Sequence, residues 1–271
     1  MIGIFDSGYG GLAVFKSIIK RLPRYSYLYF GDNAHAPYGS RPASEIFQYT
    51  VKGVEMLFSR GCRLVILACN TASATSLRRI QQELLPQTHP SHRVLGIVVP
   101  TIEQITWAAH DDIHTVGLLA TAHTINSKAY QHEIKKRHQS IRIVSLACPD
   151  LVRQIEQGAD KTQLQQSIKH YLKELHEKAS GELDSVLLGC THFELIADLI
   201  KKNLPPSVHL YKQPDIVAES LADYLPRHPD LAAGLSRQSR RLFITSGDPR
   251  AVSARASELL GYPVRYHNCY S

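Results

Sequence analysis

Short apolar runs alternate with amphipathic, helix-length stretches along nearly the whole chain, and that alternation restricts the fold more than any other property of the sequence. Ile2–Phe5, Ser26–Phe30, Leu64–Ala68, Arg93–Val98, Thr115–Leu119, Ile141–Ser145, Ser185–Leu188, His209–Tyr211 and Arg241–Thr245 read as strands. Several of them are continuously aliphatic, as strands covered on both faces must be. Between them lie helical patterns. The segment after Pro42 places Phe47, Val51, Val54 and Phe58 at helical spacing. Thr101 with Gln104 three residues later, and Asp248 before Pro249, mark helix starts. Strand–helix alternation of this kind predicts an α/β fold, a mostly parallel sheet flanked by helices on both faces. The loop 87–92 and the pair Pro205-Pro206 punctuate the chain. They suggest a second α/β domain over 98–208, inserted in a first made of 1–97 and 209–271.

Several function classes are set aside early. No apolar run approaches the ~20 residues of a membrane span, and the opening MIGIFDSG reads as a first strand, not a signal peptide. Five cysteines are scattered with no CxxC pair. That speaks against a disulfide framework or zinc ribbon and predicts a reducing, cytoplasmic setting with thiols free for chemistry. The net charge is +7. The basic clusters Arg78-Arg79, Lys135-Lys136-Arg137, Lys201-Lys202 and Arg240-Arg241 fall at the ends of expected helices or strands, where solvated faces are the ordinary reading. With no recognition motif or aromatic series beside them, nucleic acid is not an expected partner. A mild positive field does suit a small anionic substrate.

One internal echo carries more weight. Leu64-Val-Ile-Leu-Ala-Cys69-Asn70-Thr71 parallels Ser185-Val-Leu-Leu-Gly-Cys190-Thr191-His192. Each is an aliphatic strand, a small residue, a cysteine and two polar residues, followed by a helical stretch. A lone cysteine is ordinarily a small buried apolar side chain, and Cys62, Cys148 and Cys269 are read so. Cys69 and Cys190 instead sit where parallel strands end, the position at which open α/β sheets bind ligands. A following helix N-terminus would lower a thiol pKa there. Cys190 and His192, two positions apart, also admit a cysteine hydrolase, although neighbours in sequence need not be partners in space.

The N-terminal segment supports two readings. Gly8, Gly10 and Ala13 fit a dinucleotide fingerprint, with Asp32 near the end of the next strand, so a nicotinamide-dependent oxidoreductase is one alternative. Asp6-Ser7 just before the glycines is awkward for a pyrophosphate and well suited to a substrate ammonium group. The polar loop 31–42 holds Pro37-Tyr38-Gly39 in a constrained turn, and loops at strand ends commonly carry function. His110 and His114 have a chelating i,i+4 spacing but lack the glutamate of HExxH, so no metal site is expected.

Together these residues resemble the glutamate racemase family, within the aspartate/glutamate racemase superfamily. The resemblance rests on Phe5-Asp6-Ser7 through Leu12, Gly31-Asp32 through Pro37-Tyr38-Gly39, Ala68-Cys69-Asn70-Thr71, Thr121 with Thr124, Cys148-Pro149 through Glu156, Gly189-Cys190-Thr191-His192, and Thr245 through Pro249. It implies two pseudo-symmetric domains with the active site in the cleft between them, and interconversion of L- and D-glutamate without a cofactor. Cys69 and Cys190 would be the opposed acid and base. Asp6, Ser7, Tyr38, Gly39, Asn70, Thr71, Thr191 and His192 would hold substrate, with Thr121, Thr124 and Glu156 in support. It further implies a bacterial cytoplasmic enzyme supplying D-glutamate for peptidoglycan, with a small-molecule substrate and no membrane partner. A homodimer is allowed. Racemisation of another amino acid such as aspartate is the nearest alternative. Phe193-Glu194, where the family commonly has Tyr-Pro, together with Tyr9 and His35-Ala36, depart from the family's pattern, and a reshaped pocket entrance or interface is the expected consequence.

Overall fold

The computed structural model describes residues 1–108 and 115–270, so His110 and His114 lie outside the described residues. All nine apolar runs form strands, with ends within two residues of those expected. The first unit begins β1 (Ile2–Asp6), α1 (Gly11–Arg21), β2 (Tyr27–Gly31), α2 (Ala43–Ser59), β3 (Leu64–Leu67), α3 (Asn70–Arg79), α4 (Leu85–Thr88) and β4 (Arg93–Gly96). α5 (Val98–Ala108) leads into the second unit: β5 (Thr115–Ala120), α6 (Ala122–Asn126), α7 (Ala129–Arg137), β6 (Arg142–Ala147), α8 (Pro149–Glu156), α9 (Lys161–Lys178), β7 (Ser185–Gly189), α10 (Thr191–Glu194), α11 (Ala197–Lys202) and β8 (His209–Tyr211). The chain then returns through α12 (Gln213–Tyr224) and α13 (Pro229–Ala233) to β9 (Arg241–Thr245), α14 (Pro249–Leu260) and β10 (Tyr266–Asn268).

Two sheets result, in the orders β10-β9-β2-β1-β3-β4 and β6-β5-β7-β8. Every strand pairing among the described residues is parallel. Parallel neighbours need a crossover, and the helices supply it. β8 pairs with β7, so His209–Tyr211 belongs to the second sheet and the return to the first begins at α12. There Arg21 and Ser17 of α1 bind Glu219 and Asp215.

Successive strand residues point to opposite faces, and the cores follow that period of two. In the first sheet Ile2, Ile4, Tyr27, Tyr29, Leu64 and Ile66 pack on one face. Phe5, Leu28, Phe30, Val65 and Leu67 pack on the other, against Ile46, Val54, Leu57 and Phe58 of α2. In the second sheet Leu119, Leu146, Val186 and Leu188 face one way, and Val116, Leu118 and Leu187 the other. Both faces of both sheets are therefore covered. Phe47 and Val51, expected on the buried face of α2, pack only at its margin, because the true stripe passes through Ile46, Thr50 and Leu57.

Local signals succeeded unevenly. Asp248 caps α14, its carboxylate accepting from the Arg250 N–H. Thr101 does not begin a helix: α5 starts at Val98, and the Thr101 hydroxyl donates back to the Ile97 carbonyl. The Lys135–Arg137 and Lys201-Lys202 clusters sit in last helical turns, where cations oppose the dipole favourably. Among the described residues no helix is long and apolar enough to cross a membrane.

Candidate active site

Parallel sheets present strand ends, and here the two units present theirs to one cavity of about 220 Å³. β1 runs out at Asp6 into Ser7, β3 into Cys69, β5 into Thr121, β6 into Cys148 and β7 into Cys190. Both Cys69 and Cys190 line this cavity, and both occupy the N-cap of the following helix, α3 and α10. Ser7, Tyr38, Gly39, Asn70, Thr71, Thr121, Thr191 and His192 line it with them. Asp6, Thr124 and Glu156 are not among the lining residues; each stands one hydrogen bond behind it. Pro37, Ser40, Ala122, Cys148, Pro149, Val152 and Arg153 also line it, although sequence reasoning assigned none of them a site role: Pro37, Cys148 and Pro149 stood out only as parts of motifs, and Cys148 was expected in the core. Cys148 and Pro149 follow the end of β6, so the strand-end argument applied to Cys69 would have found them.

The surroundings of the two thiols differ. Cys69 Sγ lies 3.4 Å from Ser7 Oγ and accepts from the Ala72 N–H at 3.4 Å. The sequence predicts a lowered pKa at this helix start, and the structure reverses that. Burial pushes the Cys69 thiol up to about 12, and the carboxyl of Asp6 adds to the rise, outweighing the Ser7 and Ala72 donors. Loss of hydration exceeds what one helix turn returns.

Cys190 Sγ lies 4.0 Å from His192 Nδ1, and His192 Nε2 is 2.9 Å from Glu156 Oε1. Burial disfavours an imidazolium, but hydrogen bonding to Cys190 and Glu156 and their charges more than compensate, holding His192 well above its ordinary value. One side of the cavity thus favours a neutral thiol. The other supplies a cation beside the sulfur.

Asp6 is fully buried, and burial raises its carboxyl despite His192 and the Gly8 and Gly11 N–H groups. Its Oδ2 accepts from Gly8 N at 2.9 Å, and Thr191 Oγ1 donates to Oδ1 at 3.5 Å. The hydroxyls of Thr71, Thr121 and Thr124 form a triangle with sides of 3.0 to 3.3 Å, joining the first unit to the second. Tyr38 is buried, and its hydroxyl donates to Asp32 Oδ2 at 2.6 Å. That hydroxyl is therefore already engaged within the loop. At Gly39 an added Cβ would lie 2.7 Å from Thr121 Cγ2, which explains glycine at that close approach.

The dinucleotide alternative finds no room. A Cβ at Gly10 would lie 2.5 Å from Thr191 Oγ1 and 2.6 Å from His192 N, so α10 already covers the glycine face a pyrophosphate would need. Asp32, the expected ribose ligand, is spent on Tyr38, His35 and Ser246. Among the described residues no three His, Cys, Asp or Glu groups gather as a metal site.

Glu194, one of the departures noted in the sequence, sits behind the site and accepts from Gln213 N at 2.9 Å. Burial pushes its carboxyl up to about 8, opposed by that N–H and by Lys212, with Asp215 raising it further. A folded-state pKa above the unfolded one means that the folded protein holds the extra proton. Stability is then full below the ordinary glutamate value of 4.5 and is lost as pH rises through about 8. Thermal unfolding from pH 4.5 to 9 should show this decline, on the order of a few kcal/mol, and Glu194→Gln should flatten it. A parent curve as flat as the variant's would contradict the assignment.

A sequence profile of the family described as Asp/Glu/Hydantoin racemase matches residues 2–221. A protein of Phenylobacterium zucineum named glutamate racemase is 40% identical, the alignment covering 98% of each chain. Among solved structures, a glutamate racemase isoform from Bacillus anthracis superposes with a TM-score of 0.87 at 29% identity, over 99% of this chain and 96% of that one. A glutamate racemase from Francisella tularensis in complex with D-glutamate gives a TM-score of 0.83 at 28% identity, over 98% and 95%.

Proposed function

We propose that this chain, which belongs to the Asp/Glu/hydantoin racemase family and is an amino-acid racemase, interconverts L- and D-glutamate using Cys69 and Cys190 as opposed proton carriers. The observation that carries the mechanism is that two cysteines, each at the end of a parallel strand and the start of a helix, line a single small cavity from different sheets. Inversion at a carbon needs one proton removed from one face and another delivered to the opposite face. One thiolate takes the α-proton, and the C–H electron pair stays on the α-carbon and spreads into the carboxylate. The other thiol then protonates the far face. No net electron change occurs, and the roles reverse with the hand of the substrate.

Asn70, Thr71, Thr191 and nearby N–H groups hold the α-carboxylate, where negative charge grows. Preorganised donors of this kind usually give the largest catalytic contribution. Burial of the cavity strengthens them. His192, braced by Glu156, sets a positive charge beside Cys190, whereas burial holds Cys69 as a thiol, so the two sides of the site differ electrostatically. Asp6 and Ser7 attract the ammonium group. Support for glutamate as the substrate comes from the named relatives and from the hydroxyl, amide and imidazole groups among the side chains that line the small cavity. We further propose that the product serves peptidoglycan synthesis in a bacterial cytoplasm, a setting consistent with five unpaired thiols.

Purified protein is incubated with L-glutamate in D₂O without added cofactor, following optical rotation and α-deuterium. D-glutamate carrying deuterium at the α-carbon, formed while recovered L-glutamate is still mostly protiated, is the expected result. Faster turnover of L-aspartate would overturn the substrate assignment. No exchange with either would overturn the function.

A further inference from the structure

Asn70 reaches the cavity through an amide whose direction must be settled, because its oxygen and nitrogen would treat a carboxylate oppositely. Behind it lies Gln213, fully buried at the start of α12, its side chain joined by hydrogen bonds to three other segments. Gln213 Nε2 lies 2.8 Å from Tyr130 Oη, 3.0 Å from Thr101 Oγ1, and 3.3 Å from both the Ile97 carbonyl and Asn70 Oδ1. The Tyr130 hydroxyl donates to Asn70 Oδ1, and Asn70 Nδ2 donates to Gln213 Oε1 at 2.8 Å.

The order of donors follows from one group that cannot change its role. The Ile97 carbonyl only accepts, and Thr101 Oγ1 already donates to it at 2.7 Å, so the face of Gln213 turned toward them must be its NH₂. Gln213 Oε1 is then left facing Asn70, which must answer with its own NH₂. The Tyr130 hydroxyl accepts from Gln213 and can donate only to Asn70 Oδ1. The ring closes with one arrangement. It consumes one of the two Nδ2 hydrogens of Asn70 and leaves the other for the cavity that Asn70 lines.

We infer that Gln213 and Tyr130 are positioning residues that orient the Asn70 amide as a donor toward the substrate carboxylate. They tie that donor to the relative placement of the two units, because Tyr130 lies on α7 in the second unit and Gln213 on the returning helix. The inference rests on the racemase reading and deepens it: neither residue touches the cavity, and both act through Asn70. Fully satisfied buried networks of this kind hold a single arrangement, whereas a broken one frees the amide to flip.

The test is a double-mutant cycle in the full chain. Tyr130→Phe removes one hydroxyl and keeps the ring, and Gln213→Met keeps the length and removes both polar groups. Each is measured in the parent and in Asn70→Ala, by glutamate turnover and by calorimetric binding of D-glutamate, with thermal unfolding alongside. Tyr130→Phe in the parent should lower kcat/KM about 10- to 100-fold, the range of one hydrogen bond to a charged group. In the Asn70→Ala background the same change should alter turnover or binding less than about 2-fold. An equal loss in both backgrounds would mean that Tyr130 and Gln213 act on the fold and not through Asn70, and would overturn the inference, as would full activity of Tyr130→Phe. If Gln213→Met does not fold, Tyr130→Phe decides alone. A parent protein that does not racemise glutamate indicts the functional reading instead, an outcome visible before any variant is made.

Discussion

Replacing either Cys69 or Cys190 with alanine is expected to stop racemisation from both enantiomers, with kcat/KM falling by about 10²- to 10⁴-fold or more. In the proposed mechanism the loss is symmetric, because each direction would need one sulfur to accept a proton and the other to give one. Both side chains are small and nearly buried, so alanine leaves the backbone and the strand–helix junction in place. Circular dichroism and thermal unfolding should therefore stay close to the parent. The comparison with serine is sharper. A hydroxyl is a far weaker acid than a thiol, yet it keeps the polar contacts of the site. Cys190→Ser would set a hydroxyl in place of the sulfur beside His192, whereas Cys69→Ser would keep a contact to the Ser7 hydroxyl. Rates from D-glutamate and L-glutamate are measured with each variant by optical rotation. Either alanine variant turning over both enantiomers within tenfold of the parent would end the two-sulfur mechanism.

Gly10→Ala should be nearly as damaging, although Gly10 touches no substrate in this scheme. Its φ of −59° suits any residue, so the expected cost is entirely steric. The added methyl would lie 2.5 Å from Thr191 Oγ1, 2.6 Å from His192 N and 2.8 Å from His192 Nδ1, and backbone cannot swing away as a long side chain can. α10 must shift, and its N-cap is Cys190. A displacement on the order of 1 Å at a reacting group can cost about 10²-fold in rate, and the overpacking destabilises the fold by about 1–3 kcal/mol. Gly8→Ala is the control. Its methyl would meet nothing nearer than Glu156 Oε1 at 3.2 Å, a side-chain end that can give, so its activity should fall far less. Parent-like kcat/KM for Gly10→Ala would show that α10 does not depend on this contact.

Several features were readable before any coordinates because their causes are local. A strand buried on both faces must be apolar over four or five residues, and a strand that feeds a helix must stop at a small or capping residue. Leu64–Cys69 and Ser185–Cys190 carry both marks, which is why the twin cysteines stood out. β10 escaped because Tyr-His-Asn is short, half polar and paired on one edge only. The third cysteine of the cavity, Cys148, was read as core, and it is both: it packs in the core of the second sheet and borders the cavity.

What the chain's own pattern of residues settled was the alternation of strands and helices, the parallel sense of the sheets, and the positions of Cys69 and Cys190 at strand ends, since each depends on neighbours within a few residues. Tertiary packing alone decided the rest. Asn70 meets Gln213 and Tyr130 across 143 and 60 residues of chain, separations that no local periodicity encodes. It also set the different electrostatic surroundings of the two sulfurs. Dehydration, and a His192 and Glu156 brought together from different helices, depend on what the folded molecule places around a group, and that changes the free energy of a charge by more than the adjoining helix turn does.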